Sequence, residues 1–342
     1  MPKDEFYMTH RTLVSLVVLS GLASAPPQRD ADGSPHQTRL VSVDAHVRLE
    51  VLDWGGSGRA LVLLAGSGNT AHVFDDFAPK LRNYCHVYGI TRRGFGGSDR
   101  PRSGYDDQRL ADDVLQVLRT LSIDRPVVAG HSMAGGELTT VGNQHSDLLA
   151  GLVYLDALGD PRDWPATDPA YRELVNQLPE MRRGPPVVDR SSFSAYRASQ
   201  LRNEHFAFPE SELRQLYAAN PDGSVGHYKA SDSAIDAAVG AGQKKRDYSH
   251  ITVPVLAMFE YPRVYPPLSD SGAPQIDTDA QRVAREAYVH ATAAYVDRWV
   301  NNLKSGVATA RIVDLPRAGH FVFLSREDDV ISGIRKFFAT IL

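Results

Sequence analysis

The sequence predicts an α/β fold: a mostly parallel eight-stranded sheet flanked by helices, with a helical cap inserted after the sixth strand. Three observations carry this reading. From Thr38 onward, short apolar runs alternate with helix-like segments of about ten residues, the rhythm of right-handed crossovers between parallel strands. The rhythm breaks once, between Leu158 and His250, and then resumes. The chain of 342 residues, 42% of them hydrophobic, suits one large domain carrying an insertion.

In order, "TRLVSV" and "VRLEVLDW" read as two strands joined through Asp44 and Ala45. "ALVLLAG" is a buried strand, Ala71 to Leu81 a helix, "CHVYGI" a strand and "LADDVLQVLRTL" an amphipathic helix. "PVVAG" follows as a strand, Gly135 to Gln144 as a helix and "GLVYLDA" as the sixth strand. Residues 158–250 mix Pro, Trp, Tyr, Arg and Glu with short helical stretches such as Ser211 to Ala219, so the expected cap covers them. "PVLAMFE", a helix from Asp279 to Lys304, "ARIVDL" and a helix from Glu327 to Ile341 complete the core, which comprises residues 38–157 and 251–342. An insertion there would lie over the strand ends, where open α/β sheets bind ligands.

Residues 1–25 read as a secretory signal peptide. "TLVSLVVLSGLASA" follows His10 and Arg11, ends in Ala23-Ser24-Ala25, and is too short to span a bilayer. The mature protein is then secreted or periplasmic; if the segment is instead an apolar tail, it is cytoplasmic. Residues 26–37, rich in Pro, Asp, Ser and Gly, read as a linker. A formal charge of -4 without a long basic run leaves no footprint for nucleic acid or an anionic membrane, and favours small neutral substrates. The single cysteine, Cys85, excludes an internal disulfide and a cysteine-based metal cluster, and reads as a buried strand residue.

The sharpest local signal is "VVAGHSMAGGEL". Gly130, Ala134 and Gly135 permit a sharp strand-to-helix turn that projects the Ser132 hydroxyl. A hydroxyl needs a base to become nucleophilic, and His320, on a glycine-containing loop after the last strand, can reach back over the sheet edge. His131, adjacent to the serine, is expected to point away from it. The imidazole needs a carboxylate on its other nitrogen, and two strand ends offer one: Asp156, or alternatively Glu260. Asp156 is preferred, because a carboxylate closing so apolar a strand requires a partner. An oxyanion formed at Ser132 would need backbone donors, for which Met133 N–H and the turn Gly66-Ser67-Gly68, through Ser67 N–H, are placed. Within the insertion Trp164, Tyr196 and Phe206, with Tyr171, Phe193, Phe208 and Tyr217, either line an apolar pocket over Ser132 or form the insertion's own core.

With these residues in place, the chain from Thr38 to Leu342 resembles the α/β-hydrolase fold family, through "LLAGSGNTAHVFDDFAP", "GITRRGFGGSDRP", "GHSMAGG", "LVYLDA" and "AGHFVFLSRED" in the family's order of nucleophile, acid and histidine. The resemblance implies Ser132 as nucleophile, His320 as base, and Met133 and Ser67 as oxyanion donors. Where the family commonly carries its acid, this chain has Arg263 and Val264; an acid one strand after the nucleophile, as in haloalkane dehalogenases, fits Asp156. Serine rather than aspartate at the elbow speaks against dehalogenase or epoxide-hydrolase chemistry. Ala65 stands where many members carry histidine. The implied activity is cleavage of an ester-like bond in a small, largely apolar molecule through a Ser-His-Asp triad and an acyl-enzyme, with no metal or organic cofactor. The same scaffold supports amidase, C–C hydrolase, lactonase or perhydrolase chemistry, or a non-catalytic ligand receptor.

Overall fold

The computed structural model describes residues 36–163, 168–176, 188–229, 232–261 and 278–341. The proposed signal peptide and nearly all of the linker lie outside the described residues, as does Trp164. No helix among the described residues is long and apolar enough to cross a membrane.

Eight strands form the sheet: β1 (Gln37–Asp44), β2 (Val47–Gly55), β3 (Ala60–Leu64), β4 (His86–Ile90), β5 (Val127–His131), β6 (Gly151–Leu155), β9 (Val255–Phe259) and β10 (Arg311–Asp314). They lie in the order β1-β2-β4-β3-β5-β6-β9-β10. β1 and β2 pair antiparallel, as do β2 and β4, and every other pairing is parallel. The central strands β3, β5, β6 and β9 are buried along their whole length, which is why they read as unbroken apolar runs. From β3 the chain winds outward to β4, and from β5 the opposite way to β6, so the winding reverses between β3 and β5. The loops leaving these two strands flank the crevice where such sheets bind ligands.

Helices cover both faces. On one side α1 (Asp107–Thr120), α2 (Gly135–His145) and α7 (Asp279–Gly306) pack over a core that includes Leu115, Leu138 and Trp299. On the other, α8 (Val322–Ser325) and α9 (Glu327–Phe338) cover Phe74, Phe77 and Met258. The expected helix over Ala71 to Leu81 is instead two 3-10 turns, Ala71–Phe74 and Ala78–Leu81. Pro79 at the start of the second cannot donate the N–H that would join them into one ladder.

Between β6 and β9 run α3 (Pro169–Asn176), α4 (Phe193–Glu204), α5 (Glu210–Leu216), the hairpin β7 (Tyr217–Ala219) and β8 (Val225–Tyr228), and α6 (Ser233–Gly242). The helix expected through Ala219 therefore stops at Leu216, and the chain turns back through Asn220-Pro221-Asp222-Gly223. That turn is legible in the sequence, since proline presets one turn dihedral and Gly223 supplies a positive φ of 84°.

Candidate active site

Ser132 leaves β5 with φ +56°, in the left-handed region that costs a side-chain-bearing residue energy. The elbow closes because its flanks are small. A Cβ on Gly130 would sit 2.9 Å from the Ala134 Cβ and 2.2 Å from Leu138 Cδ1, so glycine on one side accommodates alanine on the other. Asp156 follows β6 with φ +46°, its N–H donating to the Met258 carbonyl at 2.8 Å. His320 follows β10 on a loop in which Arg317 and Gly319 also take positive φ.

These three residues, from three loops, form one hydrogen-bonded line. His320 Nδ1 lies 2.6 Å from Asp156 Oδ2, and Nε2 lies 2.9 Å from Ser132 Oγ. A carboxylate can only accept, so Nδ1 carries the ring proton, Nε2 is bare, and the serine hydroxyl donates to it. The Asp156 side chain is 2% exposed and that of His320 is 42% exposed. The carboxylate is shielded while the imidazole faces the opening. Glu260, the alternative acid, is buried just beyond β9, and both nitrogens of the His320 ring are already engaged by Asp156 and Ser132.

The His131 ring, expected to point away from Ser132, engages the His320 loop. Its Nε2–H donates to the His320 main-chain carbonyl at 3.0 Å, while Phe321 and Phe323 pack on the same imidazole at 4.9 and 5.2 Å between centroids. Burial, with the neighbouring His320 adding to it, pushes the His131 imidazole down to about 3, so it stays neutral. The ring therefore anchors the loop that carries the candidate base.

The loop after β3 approaches the elbow closely: a Cβ on Gly66 would meet His131 Nδ1 at 2.8 Å and Ser132 Cβ at 3.1 Å. Two buried side chains far away in sequence hold it. Arg92 donates from Nη2 to the Ala65 carbonyl at 2.9 Å, while its Nε donates to Glu137 of α2 at 2.5 Å. Glu212 of α5 accepts from Asn69 Nδ2 at 2.8 Å, from Thr70 N–H at 3.2 Å and from the Thr70 hydroxyl. Burial pushes the Glu212 carboxyl up to about 7, against the pull of these donors. Support that a histidine at position 65 could give is thus supplied by Arg92 and Glu212. Neither was singled out from the sequence; the "RRG" after β4 is a local hint of the first, and nothing local signals the second.

A cavity of about 390 Å³, within the range that holds a small molecule, opens on this constellation. Ser132, His320, Asp156, Met133 and Ser67 line it together. Its remaining wall includes Pro161, Asp236 and Gln243, with Arg246 and Trp299. Of the aromatics that could line a pocket or form the insertion's own core, Tyr196 and Phe206 do not reach the cavity wall. Tyr196 is buried with Phe193, Leu213 and Val225 in a small core of the insertion, its hydroxyl donating to that of Tyr217 at 2.9 Å. Phe206 packs on Phe208 and Phe321 at 5.9 and 5.3 Å and is not among the residues that line the cavity. Several large rings in one small insertion must cover each other before they can cover a ligand.

Among the described residues, the cluster with metal-like spacing is His36, His72 and Asp75, whose ligating atoms lie within 4.8 Å of one another. Its chemistry is that of an ion pair. Asp75 accepts from His36 Nδ1, His72 Nδ1, Trp54 Nε1 and the Ser211 hydroxyl, which occupies both oxygens.

The sequence model of the Alpha/beta hydrolase family matches residues 61–332. The 2-(acetamidomethylene)succinate hydrolase of Mesorhizobium japonicum is 29% identical over 101 residues, which is 30% of this chain and 36% of that one. A fluoroacetate dehalogenase of a Burkholderia species is 33% identical over 128 residues, 36% of this chain and 41% of that one. The matches thus span less than half the length of these curated relatives. The crystal structure of E-2-(acetamidomethylene)succinate hydrolase superposes with a TM-score of 0.60 over 89% of this chain and 99% of that one, at 19% identity, a likeness of fold. With the matching region spanning both sides of the insertion, this chain belongs to the α/β hydrolase family.

Proposed function

We propose that this protein is a serine hydrolase that cleaves an ester-like bond of a small molecule through an acyl-enzyme on Ser132. The observation that carries the reading is the Asp156–His320–Ser132 line, with the bare Nε2 2.9 Å from the hydroxyl and the cavity open in front of it. Ser132 Oγ attacks the substrate carbonyl while its proton passes to His320 Nε2. Asp156 holds the ring in the required tautomer and stabilises the imidazolium. The oxyanion forms against the N–H groups of Met133 and Ser67, both on the cavity wall. Collapse breaks the bond to the leaving group, which takes the proton from His320. Water, activated by the same imidazole, then cleaves the acyl–Ser132 bond, regenerating the hydroxyl and releasing the acid.

A serine Oγ forms this acyl intermediate without the carboxylate nucleophile that displacement at an alkyl carbon would call for. The relatives named for a dehalogenase and for a succinate-derived substrate support a small organic molecule, not a polymer. A fluorophosphonate probe is expected to label the protein at Ser132, with labelling lost in Ser132→Ala. A panel of p-nitrophenyl esters of graded acyl length, beside an amide and a lactone, is expected to show ester turnover. An unlabelled protein that binds small ligands without converting them would instead identify a receptor.

A further inference from the structure

The cavity wall carries a buried cation that the reaction above does not use. Arg246 lies in the segment joining α6 to β9 and is 3% exposed. A guanidinium has five N–H donors. Among the described residues its side chain makes one hydrogen bond, a long one from Nη1 to Asp107 Oδ2 at 3.4 Å, and its buried Nε has no hydrogen-bond partner. That Asp107 oxygen also accepts the Lys244 N–H at 2.8 Å, so Arg246 does not have the carboxylate to itself.

The other buried arginines nearby are occupied. Arg92 binds Glu137 and two main-chain carbonyls, and Arg93 grips Asp113 with two contacts of 2.6 Å. Leaving a buried guanidinium underused costs free energy, and an acceptor in the cavity, meeting its terminal nitrogens, would offset that cost. The approach of Arg246 to the elbow is also provided for. A Cβ on Gly136, in the first turn of α2, would lie 2.6 Å from Arg246 Nη1 and 2.4 Å from Asp107 Oδ1. Glycine there lets the pair sit against the helix that begins just after Ser132.

We infer that Arg246 is an anion-binding residue of the Ser132 cavity and that the substrate is a small acyl compound bearing one free carboxylate, held by this guanidinium. The inference rests on the serine-hydrolase reading of the same cavity and adds the substrate's charge. Trp299 and Pro161 supply apolar wall for the carbon chain between the two ends.

The test compares mono-p-nitrophenyl succinate, whose acyl part ends in a carboxylate, with neutral p-nitrophenyl butyrate. The wild-type protein is expected to favour the succinate ester in kcat/KM by at least about 10-fold. Arg246→Met should lower that ratio on the order of 10- to 100-fold, mainly through KM, and Arg246→Lys should fall between the two. Turnover without preference for the charged ester, or a ratio unchanged in Arg246→Met, would overturn the inference and leave the hydrolase reading standing. A second measurement needs no turnover: in Ser132→Ala, calorimetry is expected to detect monomethyl succinate but not neutral dimethyl succinate, with the difference lost on adding Arg246→Met. Carboxylate binding there, in a protein whose Ser132 is neither labelled by fluorophosphonate nor acylated, would sink the reaction and keep the subsite. Equal binding of the two succinates would sink the subsite.

Discussion

Two aspartate–histidine pairs in this molecule begin alike and end differently. Asp156 and Asp75 each accept from an imidazole Nδ1, at 2.6 and 3.0 Å. Across the ring, however, His320 Nε2 meets a hydroxyl and an open cavity, whereas His72 Nε2 lies 3.6 Å from a second carboxylate, Glu50, with the ring 4% exposed. Burial alone would strip His72 of its charge. The hydrogen bond to Asp75 and the nearby Glu50 carboxylate outweigh burial and hold the imidazolium up to about 10. A hydroxyl opposite Nε2 lets that nitrogen accept, while a carboxylate demands a proton on it. The third group thus decides whether such a pair can serve as a base or as a fixed buried cation.

The largest expected effects break the first pair. On the proposed mechanism Ser132→Ala or His320→Ala lowers kcat by about 10⁴-fold or more, and Asp156→Asn by about 10⁴-fold, with melting temperatures close to wild type. Glu260→Gln is expected to cost far less than Asp156→Asn in the same steady-state assay. The reverse ranking would move the acid to β9.

Breaking the second pair should move stability in place of chemistry. His72→Leu leaves Asp75 and Glu50 buried without their cation, a loss of about 3–5 kcal/mol in denaturant unfolding. Turnover per folded molecule is retained. If kcat falls as far as in Asp156→Asn, the separation of the two networks is wrong.

The pH dependence sharpens the contrast, because two histidines are shifted in opposite directions. The raised His72 contributes stability that is complete below about pH 6.5, the unfolded value, and is lost as pH rises through about 10. Buried His131, held down to about 3, does the reverse: the unfolded chain takes up a proton that the native ring refuses, so stability falls as pH drops from about 6.5 toward 3. Urea midpoints measured across pH 4 to 10 should show both limbs. His72→Leu should flatten only the alkaline one, and His131→Phe only the acid one.

The smallest effect concerns the anchor of the base. His131→Phe keeps the ring packing against Phe321 and Phe323 but removes the donor to the His320 carbonyl. A loss of roughly 3- to 10-fold in kcat, at unchanged KM, is expected. No loss would mean that packing alone positions the loop.

What the sequence disclosed was local. The elbow at Ser132, the loop of His320 and the alternation of strands and helices each show within a dozen residues, because small residues, apolar runs and loop glycines act on their neighbours. The choice between Asp156 and Glu260 could not be local, since both close adjacent parallel strands and only the reach of the His320 loop separates them. Glu212 was invisible for a stronger reason: its partners Asn69 and Thr70 lie 143 and 142 residues away. Hydrophobicity left Tyr196 and Phe206 open between the pocket and the insertion's own core, because it cannot say which rings satisfy one another first; the cavity wall is finished with residues such as Pro161, Gln243 and Arg246. Net charge pointed to neutral substrates because a sum over the whole chain cannot report one guanidinium facing inward.

The grip of Glu212 on Asn69 and Thr70 bears on how this protein could be re-engineered. Exchanging the segment between β6 and β9 for that of another family member, the obvious route to new selectivity, would remove this clamp from the loop that carries Ser67. A chimera built without an acid at that position would inherit a new pocket and a slack anvil beneath it, so recognition and turnover cannot be transplanted independently.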